Sequence, residues 1–390
     1  MSWRDYCCIS RQALSSNPEQ IWLRSRRVER RRLQNNQPAG SEADRSSETG
    51  LAQQPRISAG CHVCRATQWT LVCSSGEILS QRRLLERFYR RRWLAQPSGT
   101  WEDRWIFTQN YLTSIVACLK CGLLYRNPHP RPEAISRASR AKRDDRADLR
   151  AEFESQRRWF HSKTETLYGH LPARSRGAPR ILEIGGVMTG FLAEGQALGW
   201  EMLGLDPDQA VADFCRREGL PILQRTVENV ELSPESFDAV AIWNTFDQLS
   251  DPQTLLAAVV PLIRSGGVLV IRIPNGACFE WAMALRAKLS KQWRRPLDTA
   301  LAWNNFLTFP YLYGYSPAGL ASLVTGFGLT LRACHADTLP SVPAGHLKWW
   351  AGLEERMVKG GWRAAFAVSR QPAEGDFHLA PWLDVYFQRL

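Results

Sequence analysis

The sequence lacks the long apolar runs that mark membrane-spanning helices. None of its 390 residues lies in an uninterrupted apolar stretch of the roughly 18 residues that a bilayer-spanning helix needs. The first residues, Met1-Ser-Trp-Arg-Asp-Tyr-Cys-Cys, also lack the apolar segment of a secretory signal. These two absences predict a cytoplasmic protein without a transmembrane segment.

Two further patterns are missing. The 10 cysteines do not form a disulfide scaffold, because six are scattered and only four fall into Cys-x-x-Cys pairs, which suits thiols in a reducing compartment. A phosphate-binding P-loop is excluded as well, since Phe191 and Leu192 follow Gly190 where that loop needs Lys and Ser or Thr.

Positive charge is abundant, with 50 Lys and Arg against 38 Asp and Glu and a net charge of +12. Arginine-rich runs at 24–32, 82–92 and 137–158 would attract polyanions such as nucleic acid or an anionic membrane surface. Acids interleave with the arginines in the later runs, which is typical of solvated helix faces. We therefore favour that interpretation over a nucleic-acid partner.

Composition divides the chain into four predicted segments. They are a disordered basic leader at 1–58 with a short helix near 21–33, a cysteine-bracketed module at 59–130 with a helical insertion near 78–94, a charged helical linker at 131–172, and a catalytic domain at 173–390. In the linker, Phe153, Phe160 and Leu167 are the sparse apolar anchors.

The fourth segment alternates apolar strands with stretches of helix length. Strands are predicted at Ile181–Ile184, Glu201–Leu205, Ile222–Arg225, Ala239–Trp243, Val268–Ile273, Leu329–Ala333 and from Trp382 onward, and helices after Thr189, after Asp208, at Thr254–Ile263 and at Ser316–Gly326. Continuous apolar strands separated by helices favour an α/β fold with a doubly wound, mostly parallel sheet.

The first two strands carry the features of an adenosine-binding site. Gly185 ends the first strand, where the backbone must pass close to a ligand, and Asp206 ends the second, where a carboxylate can bind both hydroxyls of a ribose. Asp208 is better placed to cap the next helix, so Asp206 is expected to serve the ligand.

The run from Ile181 to Asn275 resembles the class I S-adenosylmethionine-dependent methyltransferases. The matching pieces are Glu183-Ile-Gly185, Gly204-Leu-Asp206, Thr226-Val-Glu228, Ser236-Phe-Asp-Ala-Val, Leu249-Ser-Asp-Pro252 and Leu262-Ile-Arg-Ser-Gly-Gly-Val-Leu-Val. The resemblance implies a seven-stranded Rossmann-like sheet and S-adenosylmethionine as cofactor. It also implies cofactor-binding residues, which are Glu183, Gly185, Gly186, Gly190, Asp206, Val227, Glu228 and Asn244.

The glycine loop departs from this family's Gly-x-Gly-x-Gly pattern. Val187 and Thr189 stand where the second and third glycines are expected, and a β-branched residue is costly wherever φ must be positive. Either Gly190 serves in a shifted loop, or affinity for the cofactor is reduced. The same loop also fits part of a dinucleotide fingerprint, so an NAD-binding oxidoreductase is a less favoured alternative.

The paired cysteines Cys61, Cys64, Cys118 and Cys121 can supply four thiolates to one Zn²⁺ ion. This module resembles the N-terminal zinc ribbon of bacterial methyltransferases, and a site filled by four thiolates is structural because no coordination position stays open. His62 and His129 are expected to be surface or turn residues instead of ligands.

Together these patterns predict methyl transfer to a small-molecule, sugar or glycan-type acceptor by in-line displacement. Asp247, Tyr311 and His335 are the candidate catalytic residues, and the aromatic segment at 306–315 is expected to cover the site. The alternative from a different class is a non-catalytic or nucleic-acid-associated protein whose cofactor loop is degraded.

Overall fold

The structure is a computed structural model that describes residues 60–94, 113–130, 149–172, 177–186, 189–342, 344–368 and 379–390. All of them belong to one compact unit, Arg56–Leu390. The predicted leader with its helix, and Val187 of the glycine loop, lie outside the described residues. Within the described part of the chain, no helix has both the length and the apolar character needed to cross a membrane.

A small antiparallel sheet follows the first cysteine pair and includes Cys118 of the second. Its strands are β1 (Trp69–Cys73), β2 (Ser114–Cys118), β3 (Leu124–Asn127) and, from much later in the chain, β9 (Tyr313–Gly314), in the order β1-β2-β3-β9. Helix α1 (Ser75–Arg92) lies between β1 and β2 and begins with a capping box formed by Ser74 and Glu77. This helix covers most of the range 78–94 in which a helical insertion is predicted.

The main sheet has seven strands. They are β4 (Arg180–Ile184), β5 (Glu201–Leu205), β6 (Ile222–Leu223), β7 (Phe237–Trp243), β8 (Ile263–Pro274), β10 (Leu329–Asp337) and β11 (Trp382–Arg389), in the order β10-β11-β8-β7-β4-β5-β6. Pairing is parallel from β6 to β8, and β11 lies antiparallel between β8 and β10. This confirms the predicted mostly parallel, doubly wound sheet.

Helices cover the sheet because its central strands are apolar on both faces, and every residue of β7 is buried. The helices that precede or connect the parallel strands β4 to β8 are α2 (Leu149–His170), α3 (Gly190–Ala197), α4 (Gln209–Arg217) and α5 (Pro252–Val259). The predicted anchors Phe153, Phe160 and Leu167 of α2 are all buried. Phe160 packs its ring 5.5 Å from that of Phe191 at the start of α3.

The remaining helices are α6 (Gly276–Lys288), α7 (Lys291–Trp303), α8 (Pro317–Thr325) and α9 (Trp349–Val368). Residues of α1, α6, α7 and α9 share a second apolar core with Trp303 and Phe279. Two 3₁₀ turns follow strands of the main sheet, at Val227–Asn229 after β6 and at Phe246–Gln248 after β7. Both lie at the carboxyl edge of the sheet, where doubly wound folds bind their ligands.

Candidate functional site

The turn after β4 is shaped by Gly185. Its φ is +68°, its N–H donates to the carbonyl of Leu205 at 2.8 Å, and its carbonyl accepts from Thr245 Oγ1 at 2.8 Å. A Cβ added there would lie 2.6 Å from Thr245 Cγ2. Glycine is therefore required both for the left-handed backbone and for the close approach of the loop after β7.

Glu183 is a buried acid beside this turn, with 1% of its surface exposed. A Cβ on Gly186 would lie 2.8 Å from the Glu183 carboxyl carbon. Among the described residues, Glu183 Oε2 has no hydrogen-bond partner. Burial, followed by the charge of Asp206, raises the pKa of Glu183 to about 8. Such an oxygen is suited to a ligand that brings a positive charge or a hydrogen-bond donor.

Asp206 ends β5 and is 3% exposed. Its Oδ1 accepts from the backbone N–H of Asp208 at 2.8 Å. Asp208 in turn caps α4, accepting from the amides of Ala210 at 2.8 Å and Val211 at 3.1 Å. The expected capping role of Asp208 is confirmed, and Asp206 is held in place by the turn that this cap begins.

The structure gives Gly190 a packing role. It is the first residue of α3, and a Cβ there would lie 2.8 Å from the backbone nitrogen of Arg157 in α2. Before it, Thr189 adopts a left-handed backbone with φ +45°, which is strained for a β-branched residue. Its hydroxyl lies 3.0 Å from Cys215 Sγ. The loop thus keeps a left-handed residue without using glycine.

The two residues predicted for the adenine lie on the 3₁₀ turn after β6. Val227 is buried, whereas Glu228 is exposed. The structure therefore places Glu183, Gly185, Gly186, Asp206 and Val227 at the carboxyl ends of β4, β5 and β6, which lie side by side at one edge of the sheet.

Asn244 follows β7 with φ +55°, a conformation that Asn tolerates better than other residues. Its Oδ1 accepts from Nε of Arg272 at 2.9 Å. Arg272 is fully buried and also donates to Asp337 and Asp384, at 2.7 and 2.6 Å. Lys163 of α2 pairs with the same two acids. This network was not predicted from the sequence, although an arginine within the apolar run Val268–Ile273 was a signal.

Asp247, a candidate catalytic residue, lies in the 3₁₀ turn after β7 and is 4% exposed. Its Oδ1 has no hydrogen-bond partner in the described part of the molecule. Burial raises its pKa to about 8, and its own backbone amide offsets part of that effect. The backbone carbonyl of Asp247 accepts from the Leu312 N–H at 3.2 Å, which fixes the turn against the aromatic segment.

The other two candidates differ from Asp247. Tyr311 is buried and its carbonyl accepts from Arg126 at 2.7 Å. His335 lies on β10 with its Nε2 3.0 Å from that of His170 in α2. Burial lowers the pKa of both histidines. This pair ties α2 to β10, away from the turn after β7.

The aromatic segment 306–315 is packed into the protein. Its aromatic residues are all buried, and the guanidinium of the fully buried Arg126 donates to the carbonyls of Thr308, Pro310 and Tyr311. It reaches the small sheet through β9, so the cysteine-bearing strands and the carboxyl edge of the main sheet are in direct contact.

The four paired cysteines converge. Their sulfur atoms all lie within 4.8 Å of one another, with 3.4 Å between Cys61 and Cys121 and between Cys64 and Cys118. Backbone amides of Val63 and Cys64 also donate to Cys61. Hydrogen bonding from the Cys121 thiol, then from these amides, lowers the pKa of Cys61 to about 5. Gly122, at φ +75°, makes the turn that follows the second pair.

His62 and His129 lie together between this cluster and the aromatic segment. Their rings are 4.9 Å apart, and Tyr313 Oη lies 3.3 Å from His129 Nε2. Both side chains are only partly exposed, and burial lowers the pKa of His129 to about 4. His62 lies in a turn, as expected, and His129 lies in the irregular segment after β3. Both belong to an aromatic cluster with Tyr313 instead of projecting from the surface.

The carboxyl edge of the main sheet lies in a segment that matches a known protein family. Residues 182–271 match the family model described as "Methyltransferase domain". That range begins within β4 and ends within β8, so it contains the whole glycine turn, Asp206, Asn244 and Asp247. The matched segment is therefore a methyltransferase domain.

Curated relatives are ubiquinone biosynthesis O-methyltransferases. The protein from Photorhabdus laumondii is 26% identical over 147 residues, covering 35% of this chain and 60% of its own length. The mitochondrial protein from Bos taurus is 21% identical over 315 residues, covering 70% of this chain and 80% of its own length. The chain thus spans less than two thirds of the bacterial relative.

Among solved structures, an S-adenosylmethionine-dependent methyltransferase from Thermotoga maritima is 18% identical, with a TM-score of 0.37. The match covers 62% of this chain and 98% of that one.

Proposed function

We propose that this chain, which contains a class I S-adenosylmethionine-dependent methyltransferase domain, transfers a methyl group to a hydroxyl-bearing small molecule. The observation that carries the proposal is the edge built by Glu183, Gly185 and Asp206, within a segment that matches the methyltransferase family. The names of the curated relatives, which are O-methyltransferases, support oxygen as the acceptor atom.

The residues present fit the cofactor. Glu183 Oε2 is a buried acceptor without a partner in the described residues, and it would hold the cationic methionine end. Asp206 would accept hydrogen bonds from the ribose, and Val227 would contact the adenine face. When bound, S-adenosylmethionine supplies an electrophilic methyl group. The protein orients the acceptor and excludes water, which is most of what an in-line displacement needs.

The cysteine cluster fits a structural Zn²⁺ ion. Four sulfur ligands at about 2.3 Å from a tetrahedral zinc lie about 3.8 Å apart, close to the spacing of at most 4.8 Å that the four atoms show. All four thiolates would ligate the metal, so it would brace the small sheet and take no part in the chemistry. Metal analysis of Cys61→Ser should show zinc lost, whereas Cys334→Ser, outside the cluster, should retain it.

The test of the cofactor site compares two neighbouring aspartates. Asp206→Ala removes a charged acceptor for the hydrogen bonds that the ribose hydroxyls would donate, and it should weaken binding of S-adenosylhomocysteine by about 10- to 150-fold. Asp208→Ala removes only a helix cap, which costs about 1 kcal/mol of stability, and should leave the affinity within about twofold. Isothermal titration calorimetry measures both.

Equal loss of affinity in Asp206→Ala and Asp208→Ala would show that the turn between β5 and α4 affects binding only through its contribution to folding. Failure of the wild-type protein to bind S-adenosylhomocysteine would refute the proposal. Salt-dependent binding of a polyanion by that same protein would then favour the nucleic-acid-associated alternative.

A further inference from the structure

A second buried polar group without a partner lies close to Asp247. Tyr315 is 1% exposed, and its hydroxyl has no hydrogen-bond partner within the described ranges. Its ring centroid lies 5.4 Å from that of Phe246, the neighbour of Asp247 in the 3₁₀ turn. Burying two polar groups unsatisfied costs stability, so a ligand that satisfies both would explain why they are there.

The position of this pair follows from the fold. Thr245, two residues before Asp247, bonds the carbonyl of Gly185 in the cofactor turn. On the other side, the backbone of Leu312 bonds the carbonyl of Asp247. Asp247 therefore lies between the cofactor turn and the aromatic segment, which is where an acceptor must be held for in-line transfer.

We propose that Asp247 is the general base of the methyl transfer and that Tyr315 hydrogen-bonds the same acceptor hydroxyl. This inference rests on the proposed function. The acceptor oxygen forms a bond to the methyl carbon, and the carbon–sulfur bond breaks with its electron pair left on sulfur. The hydroxyl proton moves to Asp247 Oδ1, which balances the charge lost from the sulfonium.

The surroundings of Asp247 suit a base that works near neutral pH. Burial raises the pKa of Asp247 to about 8. This value is closer to the pKa of an aromatic hydroxyl, about 10, than the pKa of an exposed aspartate is. Its charge in turn contributes to a raised pKa for Tyr315, after burial and Tyr313. Two fully buried cations lie on strands around this turn. Arg272 of β8 is already paired with Asp337 and Asp384, and Arg126 of β3 donates to backbone carbonyls of the aromatic segment.

The experiment compares Asp247→Asn with wild type in two assays. Transfer of tritiated methyl from S-adenosylmethionine to catechol, used as the hydroxyl probe, should fall by about 100-fold or more in the variant. The wild-type rate should rise with pH up to about 8 and level off above it, because the base must be ionised. Tyr315→Phe should lose about tenfold, as expected for one hydrogen bond.

The second assay separates a base from a structural acid. Because the folded-state pKa of Asp247 lies above its value of 3.8 elsewhere, ionisation destabilises the folded protein as pH rises toward 8. Asp247→Asn should therefore melt about 5 °C or more above wild type at pH 9 and close to wild type at pH 4, near the ordinary pKa of an aspartate. The matched control Asp384→Asn, in a paired buried acid, should lose stability.

Three results would overturn the assignment. They are unchanged transfer in Asp247→Asn, a loss of stability in that variant at pH 9, and no transfer to catechol by a wild-type protein that binds S-adenosylhomocysteine. Failure of the proposed function is distinct, because there the wild-type protein would not bind S-adenosylhomocysteine at all.

Discussion

Buried acids have cationic partners in one part of the carboxyl edge of the main sheet and lack them in another, among the described residues. At β8, β10 and β11, Asp337 and Asp384 are neutralised by Arg272 and Lys163. At β4 and β7, Glu183 and Asp247 each have an oxygen without a partner in the described residues, and burial raises the pKa of both to about 8. The protein itself completes the first region, whereas we propose that ligands complete the second.

We infer that the paired acids stabilise the fold and that the unpaired acids serve function. Paired buried charges hold strands and α2 together, and removing one partner leaves the other uncompensated. Unpaired buried acids cost folding free energy and persist where chemistry needs them. The predictions below test whether each region behaves as its charges imply.

The largest effect is expected in the paired region. Arg272→Met leaves Asp337 and Asp384 with too little compensating charge and should lower the free energy of unfolding by about 3–5 kcal/mol. Arg216→Met removes an ion pair with Asp213 that is largely solvated and should cost less than about 1 kcal/mol. Urea denaturation measures both. Similar small losses would show that the buried network contributes little to stability.

An effect of opposite sign is expected in the unpaired region. The pKa of Glu183 is raised from 4.5 to about 8, so the folded protein binds the extra proton between these values. Stability should fall as pH rises through this window, by about 1.4 kcal/mol per pH unit. Glu183→Gln abolishes that contribution.

The measurement is the difference in free energy of unfolding between Glu183→Gln and wild type at pH 5 and pH 8. The variant should gain stability relative to wild type at the higher pH. A variant that is less stable than wild type at pH 8 would mean that the Glu183 carboxylate has a cationic partner in the folded protein and belongs with the paired acids.

The smallest effect concerns the strained loop that follows β4 and leads into α3. Thr189→Gly relieves a left-handed backbone at a β-branched residue and should raise stability by up to about 1 kcal/mol. Thr226, with φ −82°, is the control, because the same substitution at an ordinary backbone angle should lower stability by about 0.5–1 kcal/mol. Thermal denaturation distinguishes the two variants. A loss of stability in both would show that the left-handed backbone at Thr189 is not strained.

The sequence was most informative where structure is local. Apolar runs located β4, β5 and β7 within a residue or two, and Asp208 was identified as a cap because its partners, Ala210 and Val211, are its neighbours. Strand β8 begins at Ile263, earlier than the predicted Val268, because parallel pairing with β7 extends the strand through a Ser-Gly-Gly stretch that suggested a turn.

Features that depend on distant contacts could not be predicted in the same way. Gly190 was expected near the cofactor, yet the missing Cβ makes room for α2, about 30 residues earlier in the chain. Tyr315 lies beside the turn of Asp247 only because β9 pairs with β3 and Arg126 binds the aromatic segment. No periodicity in the sequence encodes these approaches.

The central claim is that the unpaired edge binds S-adenosylmethionine through Glu183. Calorimetric titration of S-adenosylmethionine at pH 7, in two buffers of different ionisation enthalpy, tests it directly. Because a bound cation favours the ionised carboxylate, binding should be saturable and should release up to one proton per site, and Glu183→Gln should release none. Absence of saturable binding, or equal proton release from the variant, would contradict the account.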